Sequence, residues 1–317
     1  MSDIWLIGAG EMAIEYSKVL EHLNIKYITI GRGLSSAKKY KIKTKKDAYV
    51  GGLDSFLLDK PKKVEDAIVA VNVVCLFDTA RSLINYGIKN ILIEKPAGLN
   101  REEVFLLSDL ASKHDVNVFI AYNRRFYQSV SMAKKIIKDD GGVKSFSFDF
   151  TELIYRLNEF SIPLKEKQKL VLNNSSHVMD LAFFIGGAPK IIECFHNDNS
   201  NLAWHQSASI FCGAGISIDG SLFSYKSNWE SPGRWELIIN TSKHKLVFCP
   251  LEELRVQKHG SFDTNIHMFD DPKNIDSKFK PGLFMLVESF LNKKTKNICD
   301  INQMKYMVDI YYQIANY

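Results

Sequence analysis

The chain has 317 residues, 46% of them hydrophobic, and a formal net charge of +5. This length exceeds what one hydrophobic core usually organises, so two domains are expected. The charge is spread along the chain, and no helix-turn-helix, zinc-finger or RNA-binding signature is present, which argues against a nucleic-acid partner. The five cysteines form no CxxC pair, the N-terminus lacks a signal-peptide pattern, and no apolar run is long enough to cross a membrane. We therefore expect a cytoplasmic protein without a membrane partner or a metal site.

Short apolar runs alternate with segments of helical period from Asp3 to Ala121, which is typical of parallel strands covered by helices on both faces. The predicted strands are Ile4 to Ile7, Tyr27 to Ile30, Ala67 to Val71, Ile91 to Glu94 and Val116 to Ala121. A helix between the last two is expected to begin after Asn100 as its N-cap, with Glu103 in capping-box position. Residues 1–122 are therefore predicted to form an α/β domain on a doubly wound parallel sheet.

The pattern changes after Asp139-Asp-Gly-Gly, where long β-type segments begin to dominate. These segments are Val143 to Tyr155, Lys190 to His196, Ser207 to Cys212, Gly215 to Tyr225, Trp235 to Asn240 and Lys245 to Phe248. Helices are predicted at Ser129 to Lys138, His177 to Ile185, Pro281 to Asn292 and Ile301 to Asn316. Hairpin turns such as Ser231-Pro-Gly favour an open, mainly antiparallel sheet. Residues 123–317 are therefore predicted to form a separate α+β domain.

A glycine motif, Gly8-Ala-Gly10-Glu-Met-Ala13, follows the first strand directly and opens a helix. Gly8 permits a tight turn, Gly10 lets the backbone approach a pyrophosphate, and Ala13 keeps helix and strand close. The free N–H groups at the helix start, where Glu11 and Met12 lie, face the anion. The motif therefore predicts a Rossmann-type dinucleotide site. A glycine-rich turn without a ligand is the alternative.

The end of the second strand favours NADP over NAD as the cofactor. It reads Ile30-Gly31-Arg32-Gly33 and lacks the carboxylate that would bind the ribose 2′-hydroxyl of NAD. Arg32 can bind a 2′-phosphate, and Ser35 and Ser36 can donate hydrogen bonds to it. The basic run from Lys38 to Lys46 would raise the local positive potential, but it is assigned no direct contact.

A second motif, Glu94-Lys95-Pro96, lies at the carboxyl end of a predicted strand, the edge where open α/β sheets bind ligands. A lysine beside a cationic nicotinamide ring can have its pKa lowered and can exchange protons with a substrate oxygen. All three residues are therefore assigned to the cofactor site, with Lys95 also catalytic. From its position alone, Lys95 is equally consistent with a surface lysine.

Four motifs occur together in the chain: Gly8-x-Gly10-x-Met12-Ala13, Glu94-Lys95-Pro96, Tyr122-Asn-Arg-Arg-Phe126 and Ser176-His177-Val-Met-Asp180. In this order they resemble the Gfo/Idh/MocA family of glucose-fructose oxidoreductase, inositol dehydrogenase and rhizopine-catabolism proteins, over the whole chain. The resemblance implies a Rossmann domain followed by an open mixed sheet. It also implies NAD(P)-dependent hydride transfer at a carbinol carbon of a sugar, a polyol or a sugar derivative, and homodimers or homotetramers built through the large sheet.

The resemblance assigns catalytic roles to two residues. Lys95 matches the family lysine that hydrogen-bonds the reacting hydroxyl, and Pro96 its neighbour, which often follows a cis peptide bond. His177 matches the histidine proposed as general acid/base. Asp180 is expected on the same helix face one turn later and is assigned to substrate binding.

One position departs from the family pattern, because inositol dehydrogenase-like members carry Asp four residues before the histidine and this chain carries Asn173. An amide can hydrogen-bond a sugar hydroxyl but cannot take up a proton. Asn173 is therefore expected to bind substrate, and the chemistry would rest on Lys95 and His177. A free polyol or inositol becomes the less favoured substrate. A sensor or scaffold that binds NADP without catalysis is the alternative from another class.

Two further segments are expected to face the substrate. Tyr122, Asn123 and Arg124 should line the cleft, although interdomain packing, with Arg124 or Arg125 in a salt bridge, is an equal alternative. The segment Asn228-Trp-Glu-Ser-Pro-Gly-Arg-Trp235 is similar to family members encoded with surface-polysaccharide genes, which favours a sugar or nucleotide sugar. A hairpin turn with two core tryptophans is its plainer interpretation.

Overall fold

A computed structural model of the chain describes residues 4–157, 162–197, 200–267 and 275–317. The described residues pack as two compact units. The first unit takes its residues from Met1–Asn123 and Ile275–Tyr306, and the second from Arg124–Asn274 and Met307–Tyr317. The chain therefore returns to the first unit late in the sequence, within the range that the sequence analysis assigned to the second domain.

Fifteen strands occur in the described residues. They are β1 (Ile4–Ile7), β2 (Tyr27–Gly31), β3 (Ala48–Val50), β4 (Asp66–Val69), β5 (Asn90–Ile93), β6 (Asn117–Ile120), β7 (Ser145–Asp149), β8 (Pro189–His196), β9 (Ile210–Ser217), β10 (Leu222–Asn228), β11 (Glu236–Asn240), β12 (His244–Phe248), β13 (Arg255–Lys258), β14 (Thr264–Ile266) and β15 (Cys299–Asp300).

Twelve α-helices occur in the same residues. They are α1 (Glu11–His22), α2 (Leu34–Thr44), α3 (Gly52–Leu58), α4 (Leu76–Tyr86), α5 (Arg101–His114), α6 (Gln128–Asp139), α7 (Ile154–Leu157), α8 (Leu164–Lys167), α9 (Ser176–Gly186), α10 (Ile275–Lys278), α11 (Leu283–Leu291) and α12 (Ile301–Ala315). No helix among the described residues is both long enough and apolar enough to cross a membrane.

The first unit is built on a seven-stranded sheet with the strand order β15-β6-β5-β4-β1-β2-β3. The six strands from β1 to β6 are parallel to their neighbours, and β15 is antiparallel to β6. Strands β1 and β4 are buried along their whole length, as expected where helices cover both faces of a parallel sheet. The five predicted strands and the parallel α/β class are confirmed, and the structure adds the short strands β3 and β15.

The N-terminus of α5 confirms the predicted cap. The Asn100 side chain accepts a hydrogen bond from the N–H of Glu103 at 2.9 Å. The Glu103 carboxylate accepts from the N–H of Leu99 at 2.7 Å, one residue earlier than an ideal capping box. The two bonds satisfy backbone donors that the first helical turn would otherwise leave free.

The returning segment is integral to the first unit. Strand β15 adds to the edge of the sheet at β6, and Asn123 Nδ2 donates to the carbonyl of Pro281 at 2.8 Å. Phe290 of α11 meets Phe119 of β6 edge to face, with the ring centroids 6.1 Å apart. These contacts explain why residues of the range 275–306 belong with the N-terminal sheet.

The second unit is built on an eight-stranded sheet with the order β14-β13-β12-β11-β7-β10-β9-β8. Only β7 and β10 pair in parallel, so the prediction of a large, mainly antiparallel sheet is confirmed. The predicted hairpin at Ser231-Pro-Gly is wrong, because β7 lies between β10 and β11. The rings of Phe146 and Phe148 in β7 stack on Phe223 and Tyr225 of β10, and this aromatic pairing favours the inserted strand.

Two strand boundaries in this sheet also differ from the predictions. Strand β9 continues through Gly213, where the sequence analysis placed a break between the strands ending at Cys212 and beginning at Gly215. A Cβ atom at Gly213 or Gly215 would lie within 2.6 Å of the Tyr225 or Phe223 ring, so these glycines admit the rings of the neighbouring strand rather than end β9. The predicted strand from Val143 to Tyr155 ends at Asp149, whose carboxylate accepts from the N–H and hydroxyl of Thr151 and turns the chain.

Candidate functional site

A cavity of about 500 Å³ opens in the first unit at the carboxyl ends of β1, β2 and β4. Its walls come from the glycine turn after β1, the residues that follow β2 and the loop that follows β4, and they include Gly8, Gly10, Arg32, Ser36 and Asn72. This edge is where open α/β sheets hold their ligands. The structure therefore brings the two ends of the predicted dinucleotide site into one cavity.

Gly8 and Gly10 are glycines for different physical reasons. Gly8 has φ +119°, and a Cβ there would lie 2.1 Å from the carbonyl oxygen of Ala70, so the fold itself requires glycine. A Cβ at Gly10 would meet no described atom within 4 Å. Gly10 is also the N-cap of the 12-residue helix α1, which no side chain caps. We call Gly8, Gly10 and the open space in front of the uncapped N–H groups of α1 the glycine cradle. This space fits a diphosphate.

The predicted phosphate-binding end contains Arg32 and Ser36, which both line the cavity, whereas Ser35 is not part of its walls. Arg32 is exposed, and its Nη1 lies 3.8 Å from Cys75 Sγ. Ser36 Oγ donates to the carbonyl of Gly33 at 2.9 Å. A guanidinium with only a weak sulfur acceptor has donors available for an anionic ligand group.

Two carboxylates that the sequence analysis missed share this cavity. Asp54 accepts a hydrogen bond from Ser82 Oγ at 2.8 Å, and Asp78 forms an ion pair with Arg81 at 2.7 Å. Both lie on helices, and neither follows a strand in the position where the NAD-type acid is sought. Their negative charge makes the cavity less basic than Arg32 alone would suggest.

The predicted catalytic lysine lies in a constrained turn after β5. Lys95 is half-buried, the peptide bond to Pro96 is cis, and the buried Ala97 has a left-handed φ of +76°. Non-glycine residues adopt this conformation only where the surrounding structure enforces it. The turn therefore holds the backbone of Lys95 rigidly.

Glu94 forms a partly buried hydrogen bond behind this turn, in which Tyr16 Oη donates to its carboxylate at 2.7 Å. Burial raises the pKa of Glu94, while that hydrogen bond and the positive charges of Lys95 and Lys280 act in the opposite direction. Burial and the neighbouring carboxylate raise the pKa of Tyr16 well above its usual value. Glu94 thus supports the turn from the core side.

The first turn of α1 contacts two lysines, Lys39 and Lys280, and the sequence analysis did not identify the contact with Lys280. Glu11 is exposed and forms an ion pair with Lys39, whose hydrogen bond and charge lower the pKa of Glu11. Ala13 is buried, as the glycine motif requires. Lys280 Nζ donates to Met12 Sδ at 3.1 Å. No sequence motif marks Lys280, which is 268 residues from Met12.

The second unit carries His177 in the first turn of α9, immediately after a π-helical turn, Val171–Ser175. The ring centroid of His177 lies 6.3 Å from that of Trp235, and the Arg124 guanidinium lies 4.9 Å from the same indole. Nε of Arg124 is buried without a hydrogen bond to the described part of the chain. Two predicted site residues, His177 and Arg124, therefore meet at one half-buried tryptophan.

Glu152, which the sequence analysis did not identify, holds the π-helical turn. Its buried carboxylate accepts from Ser175 Oγ at 2.6 Å and from Asn174 Nδ2 at 3.0 Å. Asn173 Nδ2 donates to the carbonyl of Glu166 at 2.9 Å. Single π-helical turns are rare and occur frequently at functional sites. The backbone before His177 is thus fixed by side chains.

Asp180 lies one turn after His177 and binds Arg125. Arg125 Nε donates to Oδ2 at 2.8 Å, and Nη2 donates to Oδ1 at 2.6 Å. Burial raises the pKa of Asp180, and the guanidinium opposes that rise. The salt bridge with Arg125 is the alternative that the sequence analysis left open. A substrate-binding role for Asp180 stays a prediction.

Tyr122 and Asn123 make buried contacts inside the first unit. Tyr122 Oη donates to Met304 Sδ at 3.7 Å, and Asn123 donates to the carbonyl of Pro281. Both contacts hold the returning segment, so packing accounts for these two side chains. Their contact with substrate, and the convergence of Lys95 with His177, stay predictions. Within the described ranges no cluster of His, Cys, Asp and Glu could hold a metal ion.

The fold defines the general class: a Rossmann unit combined with a unit built on a large mixed sheet. No family model and no curated protein sequence matches the chain. Solved structures of oxidoreductases, however, share the fold along nearly its whole length.

Three of these structures illustrate the similarity. UDP-N-acetylglucosamine 3-dehydrogenase GnnA from Acidithiobacillus ferrooxidans is 14% identical, with a TM-score of 0.72 over 99% of this chain and 96% of that one. The WlbA dehydrogenase from Bordetella pertussis, in complex with NADH and UDP-GlcNAcA, is 12% identical, with a TM-score of 0.72 over 98% and 94%. Levoglucosan dehydrogenase, in complex with NADH and levoglucosan, is 15% identical, with a TM-score of 0.74 over 98% and 95%. At these identities the similarity establishes the fold.

Proposed function

We propose that the protein is an NAD(P)-dependent oxidoreductase of the Gfo/Idh/MocA type that transfers hydride between a nicotinamide and a carbinol or carbonyl carbon of a sugar or nucleotide sugar. The observation that carries this proposal is the glycine cradle. Gly8 is required by its contact with Ala70, while Gly10 faces an open cavity before an uncapped helix. The shared fold supports the substrate class, since the similar structures include sugar and nucleotide-sugar dehydrogenases.

NADP is the proposed cofactor, and it supplies the nicotinamide ring that exchanges hydride when bound. Gly8 and Gly10 would hold its diphosphate, and Arg32 with Ser36 would hold the 2′-phosphate. Support for NADP comes from Arg32, which lines the cavity and whose guanidinium donates to a weak acceptor, the Cys75 sulfur, among the described residues. The carboxylates of Asp54 and Asp78 leave NAD as the alternative, and two of the similar structures contain NADH.

Two side chains would perform the proton chemistry. The Lys95 ammonium would stabilise negative charge on the reacting oxygen, and His177 would take the hydroxyl proton in oxidation and return it in reduction. The rigid turn around Lys95 and the braced backbone before His177 favour such roles, because catalytic groups must be held in place before substrate arrives. Asn173 gives its amide hydrogen to the Glu166 carbonyl, which supports a sugar over an inositol-type reaction that uses an acid there.

Trp235 supports a nucleotide sugar as the substrate. Trp229 is buried, whereas Trp235 is half-buried and contacts both His177 and Arg124. An indole beside a guanidinium offers a stacking surface for a base or sugar ring and a donor for a phosphate. We therefore place nucleotide sugars ahead of free sugars, with polyols as the alternative.

The proposal is tested with the purified full chain, NADP(H) and NAD(H), and a panel of nucleotide sugars, free sugars and inositols. We expect turnover with at least one sugar-type substrate, followed as nicotinamide absorbance. Lys95→Ala and His177→Gln should each lower kcat at least about 100-fold, as expected for loss of an acid-base or charge-stabilising group. The exposed control Lys113→Ala should match the unaltered chain.

Two results would contradict the proposal in different ways. Tight cofactor binding without turnover of any alcohol or carbonyl would favour the non-catalytic sensor or scaffold. Failure to bind either nicotinamide dinucleotide would exclude both the oxidoreductase and the non-catalytic sensor or scaffold, and it would favour a glycine-rich turn without a ligand.

A homo-oligomer built through the second sheet is also proposed. The register aligns Ile191 of β8, Ile216 of β9 and Leu222 of β10 in one row, and Phe195 lies on the same face four residues further along β8. Ile191 is 51% exposed, Leu222 60% and Phe195 61%. Such an apolar face is typical of a contact between subunits. Phe195→Glu should lower the sedimentation mass, whereas Leu106→Glu, at an exposed leucine of α5, should not.

A further inference from the structure

Two lysines of the returning segment reach different ends of helix α1. Lys278 Nζ lies 3.3 Å from Nδ1 of His22, the last residue of α1. Lys280 Nζ lies 3.1 Å from Sδ of Met12, in the first turn of α1. The first turn is the end of α1 that follows the motif glycines, so the segment places one ammonium group beside Met12 at this end and one at the opposite end of the helix.

Lys280 has weak partners in this position. A thioether sulfur is a poor hydrogen-bond acceptor, and Lys280 forms no ion pair with the residues that the structure describes. Its side chain is exposed, and the carboxylate of Glu94, which feels its charge, already accepts a hydrogen bond from Tyr16. The ammonium therefore keeps donors available for a stronger, anionic acceptor.

The glycine cradle lacks a cation of its own. Its residues contribute backbone N–H groups, and the one charged side chain in the first turn of α1 is the acidic Glu11, which is bound to Lys39. A diphosphate carries two negative charges, and the partial positive charge of a helix N-terminus balances about half of one. An additional cation at the cradle would therefore strengthen binding.

We propose that Lys280 is a cofactor-binding residue that donates to the diphosphate of the dinucleotide, an assignment that rests on the proposed function. The long, flexible stem allows Nζ to exchange the Met12 sulfur for a phosphate oxygen, and lysine binds phosphate as a point charge. The dinucleotide site is then completed by a residue from the far end of the chain. Because the diphosphate is common to both cofactors, Lys280 should contribute equally to NADPH and NADH.

The test measures the affinity of the full chain for NADPH and NADH by fluorescence titration. Lys280→Met keeps the stem and removes the charge, and it should weaken binding of both nucleotides about tenfold, as expected for loss of one charge-assisted hydrogen bond. Lys280→Arg should restore affinity to within about threefold. Lys278→Met, two residues away, is the matched control and should bind normally. The effect of Lys280→Met should shrink as salt rises from about 50 to about 500 mM, because exposed charges are screened.

The outcomes separate this assignment from the proposed function. If the unaltered chain binds the nucleotides and Lys280→Met binds them equally well, the assignment is wrong and the proposed function stands. If Lys278→Met and Lys280→Met weaken nucleotide binding equally, the assignment is also wrong, because the overall positive charge of the segment would then be responsible. Absence of binding by the unaltered chain would refute the assignment and the proposed function together. Unchanged melting temperatures of the variants would show that affinity, rather than folding, has changed.

Discussion

Arg125 and Asp180 form a two-point ion pair with almost no access to solvent: the side chains are 3% and 1% exposed. The pair joins the turn before α6 to the helix that carries His177. Removing one partner of a buried pair leaves an uncompensated charge, which costs about 3–5 kcal/mol. We expect Arg125→Met to lower the free energy of unfolding of the second unit by about this amount in urea denaturation.

An exposed pair provides the control for this prediction. Arg81→Met removes the partner of Asp78, where both side chains are more than half exposed, and should cost less than about 1 kcal/mol. A loss below about 1 kcal/mol for Arg125→Met would mean that the buried pair does not hold α9.

Glu152 should affect catalysis through the backbone that precedes His177. Glu152→Gln keeps one oxygen acceptor but removes the negative charge to which Asn174 Nδ2 and Ser175 Oγ donate, and the weaker hydrogen bonds should loosen the π-helical turn. We expect kcat to fall about tenfold and its pH profile to shift, with cofactor affinity unchanged. The exposed Glu102→Gln, on α5 of the first unit, is the control. An unchanged pH profile alongside lower stability would assign Glu152 a structural role alone.

Substitution of Gly8 should lower stability, whereas substitution of Gly10 should lower cofactor affinity. Gly8→Ala forces a Cβ to within 2.1 Å of a backbone oxygen at a positive φ, and it should destabilise the first unit by at least about 3 kcal/mol. Gly10→Val should fold with a normal melting temperature, because its side chain enters open space, yet it should lose cofactor affinity at least about tenfold. Normal dinucleotide binding by Gly10→Val would show that the cradle does not hold the diphosphate.

Arg32 should discriminate between the two cofactors. Arg32→Met would remove the proposed charge-assisted contact with the 2′-phosphate and leave Asp54 and Asp78 to repel it, so affinity for NADPH should fall at least about tenfold. Affinity for NADH should change less than about threefold. Lys38→Met, in the neighbouring basic run, should preserve the preference. Equal losses for both nucleotides in Arg32→Met would argue against an NADP-specific site.

Asp140 should contribute stability that depends on pH. Burial alone would raise its pKa, but hydrogen bonds from Thr241 and His244 outweigh burial, and the pKa of Asp140 is lowered. A carboxylate with a lowered folded-state pKa stabilises the fold above its unfolded-state pKa of about 4, and this stabilisation is lost as pH falls through the folded-state value. The difference in unfolding free energy between the unaltered chain and Asp140→Asn should therefore shrink below about pH 4. A difference that grows in acid would reverse the assigned sign.

Local signals in the sequence predicted much of the first unit. Strand β1, the glycine turn and the Asn100 cap each depend on residues that are neighbours in the sequence, so they can be predicted without knowledge of the fold. The same holds for α9, whose helical period places His177 at its start.

Contacts between distant residues could not be predicted in this way. Glu152 reaches Ser175 across 23 residues, and Lys280 reaches Met12 across 268, with no motif at either end. The sequence suggested a break at Gly213 because the Tyr225 ring of the adjacent strand, which explains this glycine, meets it only once the sheet is formed. The contacts that Tyr122 and Asn123 make with Met304 and Pro281 could not be predicted for the same reason, because the segment that they hold returns from far along the chain.

The pairing of β15 with β6 limits how the protein can be dissected. A fragment that stops at Asn123 would leave the backbone groups of Phe119 and Ile120 exposed at a sheet edge and would uncover the Phe119 ring. Open edges with apolar side chains promote aggregation. A soluble nucleotide-binding fragment would have to join residues 275–306 directly to the N-terminal portion, as a gene with an internal deletion could encode.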